Sequence, residues 1–190
     1  MGFRAAALAI FVVICAAPAA AGPRTDAADP AVSVEPTSAD DTVEIKASID
    51  IAAPRTKVWS IMNDCARAMR FIPGLTSCRV LERDPAGRWD IREHRISWMW
   101  FLPDVRSVFR SDYDPPGRLR FHRISGTLKR SDGEWRLDVI DGGRATRVTY
   151  DATLSANIPA PRFMVESALK RDIAKVLRGL RRECTAAAPQ

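Results

Sequence analysis

Arg92-Glu93-His94-Arg95 is the one stretch of this chain where carboxylate, imidazole and guanidinium stand side by side. An imidazole titrates near neutral pH, and a neighbouring carboxylate can orient it for proton transfer. His94 and Glu93 are therefore the candidate polar groups of a site. The same four residues equally suit the solvated face of a strand tied by cross-strand ion pairs. The other histidine, His122, alternates with Arg120 on what reads as an outer face, and Asp112 and Asp114 flank Tyr113 in a turn-like run. Gly142-Gly143 reads as a hairpin turn, and the chain holds no nucleophile elbow, phosphate loop or HExxH helix. Cysteine and histidine spacing fits no metal site. The sequence thus assigns no catalytic residue, no metal and no cofactor.

A second kind of chemistry, apolar burial, has more candidates. Trp59, Ile96, Trp98 and Phe109 fall at inward positions of the expected elements, as do Phe121, Trp135, Leu137 and Tyr150. Val165 and Leu169 begin the apolar stripe of the last helix. Such rings either line a pocket or fill a core; five tryptophans in one small domain favour a lined pocket. Trp98-Met99-Trp100-Phe101-Leu102 breaks the alternation with five apolar residues before Pro103. That segment is either buried under a neighbour or forms an exposed lip, where its rings would suit a bilayer interface. Trp100 and Phe101, with Phe71 and Ile72 at a helix-to-strand corner, are the candidate gate.

The elements that must place these residues follow from periodicity. Val43 to Ile51 alternates apolar and polar, the mark of a strand with one buried face. Ala53-Pro54 opens a helix, with proline expected at its first position, carrying Val58, Trp59, Met62 and Cys65 at helical spacing. Phe71-Ile72-Pro73-Gly74 ends a second short helix. Strands follow from Cys78 to Arg83, Arg88 to Trp98 and Asp104 to Tyr113, with turns at Asp84-Pro85-Ala86-Gly87 and Asp114-Pro115-Pro116-Gly117. Within Arg88 to Trp98 the apolar phase changes from Trp89 and Ile91 to Ile96 and Trp98, which predicts a bulge that flips the strand. Further strands run Arg118 to Arg123, Glu134 to Ile140 with Trp135, Leu137 and Val139 inward, and from Thr146, Val148, Tyr150 and Leu154 on to Pro159, with Gly126 to Gly133 a loop or ragged edge. After Pro161, Val165, Leu169, Ile173, Val176, Leu177 and Leu180 form one helical stripe that must lie on the sheet. The architecture is β-α-α, six strands and a long helix: α+β.

Residues 1–21 read as a cleaved signal peptide, with Arg4, an apolar run from Ala5 to Ala17 and Ala19-Ala20-Ala21 before the cut. Ile14 makes Cys15 a poor lipoprotein site. Residues 22–41 read as a disordered acidic linker, and residues 42–187 as one domain. Residues 1–41 hold two arginines against five carboxylates, −3, so of the net +6 residues 42–190 carry +9. A basic domain favours anionic surfaces such as lipid headgroups. No nucleic-acid-binding motif is present, and none is expected as partner of an exported chain. In an oxidising compartment one pair among Cys65, Cys78 and Cys184 should close. Cys65–Cys78 is favoured, a loop worth roughly 3 kcal/mol of chain entropy, over three reduced buried thiols.

This order of elements, with Ile49, Ala53-Pro54, Val58-Trp59, Phe71-Ile72-Pro73-Gly74, Trp135, Asp141-Gly142-Gly143 and Val148-Thr149-Tyr150, resembles the START-like (SRPBCC, helix-grip) superfamily over residues 43–184. The coenzyme Q-binding and polyketide cyclase/dehydrase-like branch is most similar. The resemblance implies a curved antiparallel sheet wrapped around the C-terminal helix, enclosing an apolar cavity. It implies a hydrophobic small-molecule partner (a quinone, isoprenoid or acyl lipid), bound without cofactor, with transient contact to an anionic membrane. Two other readings stand beside it: a cyclase/dehydrase-like enzyme using His94 or Glu93 on a polyketide-type substrate, and a ligand-free envelope interaction module.

Overall fold

The alternation from Val43 to Ile51 becomes a strand because five of its side chains have an apolar partner on one side. In the computed structural model, which describes residues 28–36, 42–97, 104–155 and 161–186, an edge strand β1 (Ala31–Pro36) precedes β2 (Thr42–Ile51). Val43, Ile45, Ala47, Ile49 and Ile51 of β2 are all buried. β1 corrects the reading of residues 22–41 as wholly disordered: Ala31 to Pro36 pair antiparallel with Ser48 to Val43. Composition alone cannot order this segment, but the unpaired edge of β2 offers a template of free N–H and C=O groups. The segment is also pinned beyond the strand, by Asp29 to Arg178 at 3.3 Å and by Arg181 donating to the Ala28 carbonyl at 2.6 Å.

Pro54 stands just before α1 (Arg55–Met62), one residue earlier than its expected place inside the helix, and its carbonyl accepts from Lys57 and Val58. Thr146 donates to the Ala53 carbonyl at 2.8 Å and fixes this entry to the sheet. Asp64 caps α2 (Cys65–Phe71) by accepting from Ala66 N–H at 2.8 Å. Gly74, at φ 71°, turns the chain into β3 (Leu75–Arg83). A disulfide joins Cys65 to Cys78, tying the start of α2 to β3 with Cα atoms 5.3 Å apart.

The meander continues through β4 (Trp89–Ile96), β5 (Val105–Asp114), β6 (Arg118–Gly126), β7 (Arg130–Ile140) and β8 (Ala145–Ser155). These build one antiparallel sheet in the order β1-β2-β8-β7-β6-β5-β4-β3. The stretch expected as a loop or ragged edge, Gly126 to Gly133, contributes strand at both ends and leaves a short connection. The bulge expected inside β4 is absent: β4 pairs with β5 without a slip from Trp89–Asp112 to Ile96–Val105. Irregularities fall instead on the β3 side, between Leu75 and Ser77 and between Val80 and Glu82, and in β6 at Ile124, which is skipped between the Val108–Ser125 and Phe109–Arg123 pairs.

α3 (Arg162–Thr185) closes the fold. Its second half buries Leu177, Leu180 and Cys184 against α1, α2 and β2. Gly179 allows the close crossing of α2, since a Cβ there would sit 2.8 Å from the Phe71 carbonyl oxygen. The architecture is a helix-grip α+β fold, with the expected seven strands joined by β1 at the edge.

Candidate functional site

With no bulge in β4, the even positions Asp90, Arg92, His94 and Ile96 share the inner face. The wall expected to be apolar is therefore polar for three of its four residues. Asp90 and Arg92 are 1% and 6% exposed and form an ion pair, with Arg92 Nε 2.9 Å from both carboxylate oxygens. Arg92 also donates to the Tyr113 hydroxyl at 2.8 Å. Burial opposes the guanidinium charge, but the bonds to Asp90 and Tyr113 outweigh it and keep Arg92 protonated. Burial in turn holds the Tyr113 phenol well above its ordinary range.

His94 follows on the same face, edge-on to Phe109 with ring centroids 4.9 Å apart. Its Nε2 lies 3.3 Å from the Cys78 sulfur. Burial first, then the positive charge of Arg92, press its pKa down to about 4. A neutral imidazole with no carboxylate on it is a weak base at neutral pH.

Arg92, His94 and Ile96 of this row face a cavity of about 260 Å³, partly open to solvent, between the sheet, α1, α2 and α3. Phe109, Phe121, Trp135 and Tyr150 supply most of its rings. They form a connected set: Phe109 meets Phe121 at 6.3 Å, Phe121 stacks on Tyr150 at 6.1 Å, and Tyr150 tilts against Trp135 at 4.3 Å. Phe71, Ile72, Val176 and Leu180 close the helical side. Ser107, Ser111, Ser131 and Asn63 add small polar groups, and the buried Asn63 Oδ1 has no hydrogen-bond partner.

Of the residues expected to line this cavity, Ile96, Phe109, Phe121, Trp135 and Tyr150 do so, as does His94. Phe71 and Ile72 of the expected gate are also on its wall. Leu137 is instead core, 1% exposed, and Trp59 packs edge-on to Tyr113 at 5.9 Å outside the main cavity. Val165 and Leu169 are not on its wall, because the helix meets the cavity two turns later, at Val176 and Leu180. Val139, expected inward, is exposed at the end of β7. Trp98, Trp100 and Phe101 lie outside the described residues.

Glu93 is no partner for His94: strand alternation sends it to the outer face. There Arg79, Arg106 and Arg95 bind it at 2.5, 2.6 and 3.2 Å, and they hold its carboxyl at about 2. His122 is on that face too, 3.8 Å from Asp112. Among the described residues no group of three or more His, Cys, Asp or Glu could hold a metal ion. Asp90, Ser107, Ser111 and Asn63 were not singled out from the sequence, and Arg92 entered only as a member of the Arg92–Arg95 cluster. The signal for all but Asn63 was strict alternation: counted back from Ile96 it reaches Arg92 and Asp90, and Ser107 and Ser111 flank Phe109 at two-residue steps.

A family described as polyketide cyclase/dehydrase and lipid transport matches residues 51–181, and the chain belongs to it. No curated protein matches the chain significantly. Among solved structures it is similar to a STAR-related lipid transfer protein from Xanthomonas axonopodis, at 17% identity, TM-score 0.71, and coverage of 85% of this chain and 96% of that one. Human STARD10 aligns at 14% identity and TM-score 0.68 over 83% of this chain and 69% of that one. The Zhui aromatase/cyclase from Streptomyces sp. R1128 aligns at 16% identity and TM-score 0.64, over 75% and 93%. At these identities the likeness establishes the START-like fold.

Proposed function

We propose that this family member binds a hydrophobic small molecule in the cavity behind Phe71 and Ile72 and carries it without covalent chemistry. The observation that carries this reading is the cavity itself: a ring-lined space of about 260 Å³ with one polar wall, left open by a chain long enough to fill it. Each methylene moved from water into such a space gains roughly 0.8 kcal/mol, so a prenyl or acyl segment is held by area. The polar wall suits one oxygen-bearing head, which favours a quinone, an isoprenoid alcohol or an acyl lipid. Binding sites for drug-sized ligands run to about 300–1,000 Å³, so this cavity suits a head and a short tail, and a longer tail needs the wall to open.

Exchange with an anionic membrane belongs to the same proposal. Phe163 and Met164 at the start of α3 are 68% and 54% exposed, beside Arg162 and about two turns before the cationic Lys170 and Arg171. Exposed rings next to cations favour a lipid interface. Delivery to the cell envelope rests on the leader sequence of residues 1–21.

Native mass spectrometry of the protein purified from its own host tests the reading. A co-purifying lipid-soluble molecule, lost in a Phe109→Trp/Ser107→Leu variant that narrows the cavity at two of its lining residues, is the expected result; an empty cavity in every preparation refutes it. A second reading, a cyclase-like enzyme, draws on the polar row of Arg92, His94, Ser107 and Ser111 inside the cavity. It requires His94 to move a proton, and a neutral imidazole of pKa about 4 facing a disulfide sulfur is poorly suited to that step.

A further inference from the structure

We infer that the chain holds a second small-molecule site, behind the polar wall of the cavity, and that this site takes a small planar aromatic anion. A separate hollow of about 230 Å³ opens beside the β3–β4 turn, lined by Trp59, Asn63, Arg83, Trp89, Tyr113 and Pro115. Asp90 and Arg92 form its floor. Arg92 and Asn63 line this hollow and the main cavity alike, so the bonded set Asp90–Arg92–Tyr113 is the partition between them.

The ligand class follows from the walls. The Trp59 indole, the Tyr113 phenol and the Pro115 ring line a hollow the size of one aromatic ring with substituents, with Trp89 at its outer edge under Arg110. The Arg110 guanidinium lies 4.4 Å over the Trp89 ring and fixes that indole in place. Asp90 is the single carboxylate among the lining residues, and both its oxygens are taken by Arg92. Arg83, at the rim, makes no ion pair with another described residue, so the hollow is net positive. The indole N–H groups and Arg83 are donors to a carboxylate, whereas the orphaned Asn63 Oδ1 calls for a donor from the ligand. A hydroxyl-bearing aromatic acid supplies both. Gly87 leaves the entrance clear: a Cβ added there would meet nothing within 4 Å.

This site stands independently of what the main cavity carries. The test uses the full chain, 4-hydroxybenzoate as probe, and the five tryptophan indole N–H resonances assigned by single Trp→Phe variants. Saturable shifts of Trp59 and Trp89 with Trp135 unmoved are expected. Arg83→Gln, an exposed change that spares the fold, should weaken binding at least tenfold, and uncharged 4-hydroxybenzamide should bind wild type at least tenfold more weakly than the acid. The inference is overturned by unshifted Trp59 and Trp89 resonances, by Trp135 shifting on the same curve, or by equal affinity of acid and amide.

Discussion

Arg92→Met separates a structural partition from a decorative pair. Methionine keeps the unbranched stem and most of the volume, so packing changes little while the charge is lost. Asp90, 1% exposed, is then left as a buried carboxylate without its cation, and the Tyr113 hydroxyl loses its donor. Breaking a buried pair in this way costs about 3–5 kcal/mol, because the penalty is the desolvation of the stranded charge. At about 2–4 °C per kcal/mol for a domain of this size, the midpoint should fall by roughly 6–20 °C. Asp90→Leu combined with Arg92→Met removes both charges and should recover most of the loss, with a coupling of at least about 2 kcal/mol between the two changes. Equilibrium urea unfolding at pH 7, followed by tryptophan fluorescence with m-values compared, gives all terms of the cycle. A cost below about 1 kcal/mol for Arg92→Met, or simple additivity in the double variant, would show that water reaches Asp90 and that the partition is open.

The neighbouring groups His94 and Glu93 both titrate below their ordinary values, and both lose their share of stability as pH falls. His94 has a folded pKa of about 4, below its ordinary value of 6.5, so its share of stability is full above pH 6.5 and is lost as pH falls to 4. That share is on the order of 3 kcal/mol, and His94→Gln should flatten the slope of urea midpoint against pH in this window. Glu93, held at about 2 by Arg79, Arg106 and Arg95, contributes above its unfolded pKa and loses that contribution as pH falls toward 2. Wild type and Glu93→Gln should therefore differ by a constant midpoint above pH 5 and converge below pH 4; parallel curves to pH 2 would contradict the three-arginine clamp. Gly179→Ala gains about 1 kcal/mol of helix propensity but forces the new methyl to within 2.8 Å of the Phe71 carbonyl. The clash should win by about 1–3 kcal/mol, and a stabilised variant in thermal melts would refute the crossing geometry. Phe163→Ser/Met164→Ser should at least halve co-sedimentation with vesicles of anionic phospholipid while leaving the melt unchanged; unaltered sedimentation removes α3 from the membrane contact.

The elements were legible wherever one physical pattern ruled alone. β2 alternates without exception, α3 repeats its stripe at three and four, and the Pro–Gly turns punctuate the meander, so strand order and helix placement followed. The site was legible only by half. Phe109, Phe121, Trp135 and Tyr150 are large rings on buried faces, and hydrophobicity finds them. β4 misled because hydrophobicity and facing disagree there. Trp89 and Ile91 sit on the side away from the inner row, Trp89 under Arg110, while Asp90, Arg92 and His94 point inward, the first two as an ion pair. Apolar phase marks the buried face only when buried groups are apolar, and a closed ion pair breaks that condition. β1 was missed for the complementary reason: its order comes from the edge it pairs with, which its own residues do not encode.

A cavity that held its ligand by area alone would gain nothing from a charged wall. Replacing Asp90 and Arg92 by well-packed apolar residues would be neutral or stabilising by about 1–4 kcal/mol. What the pair does instead is fix polarity without leaving free charge, since Arg92 is satisfied by Asp90 and Tyr113. The groups left to address a ligand are then neutral ones: Ser107, Ser111 and the imidazole of His94. Neutral hydrogen-bonding groups on the wall of an apolar space discriminate by what goes unpaired. A ligand lacking the matching head leaves them unsatisfied at about 1–3 kcal/mol each, a factor of roughly 5 to 150 in affinity. A charged head, by contrast, would enter with no free counter-ion inside the cavity and would bear its own desolvation. The main cavity should therefore prefer an uncharged oxygenated head, a quinone carbonyl or an alcohol, over a fatty acid carboxylate of equal tail length. Competition between a prenyl alcohol and the corresponding prenyl acid at pH 7 decides it: at least a tenfold preference for the alcohol is expected, and equal binding would mean that the ion pair opens to meet the acid.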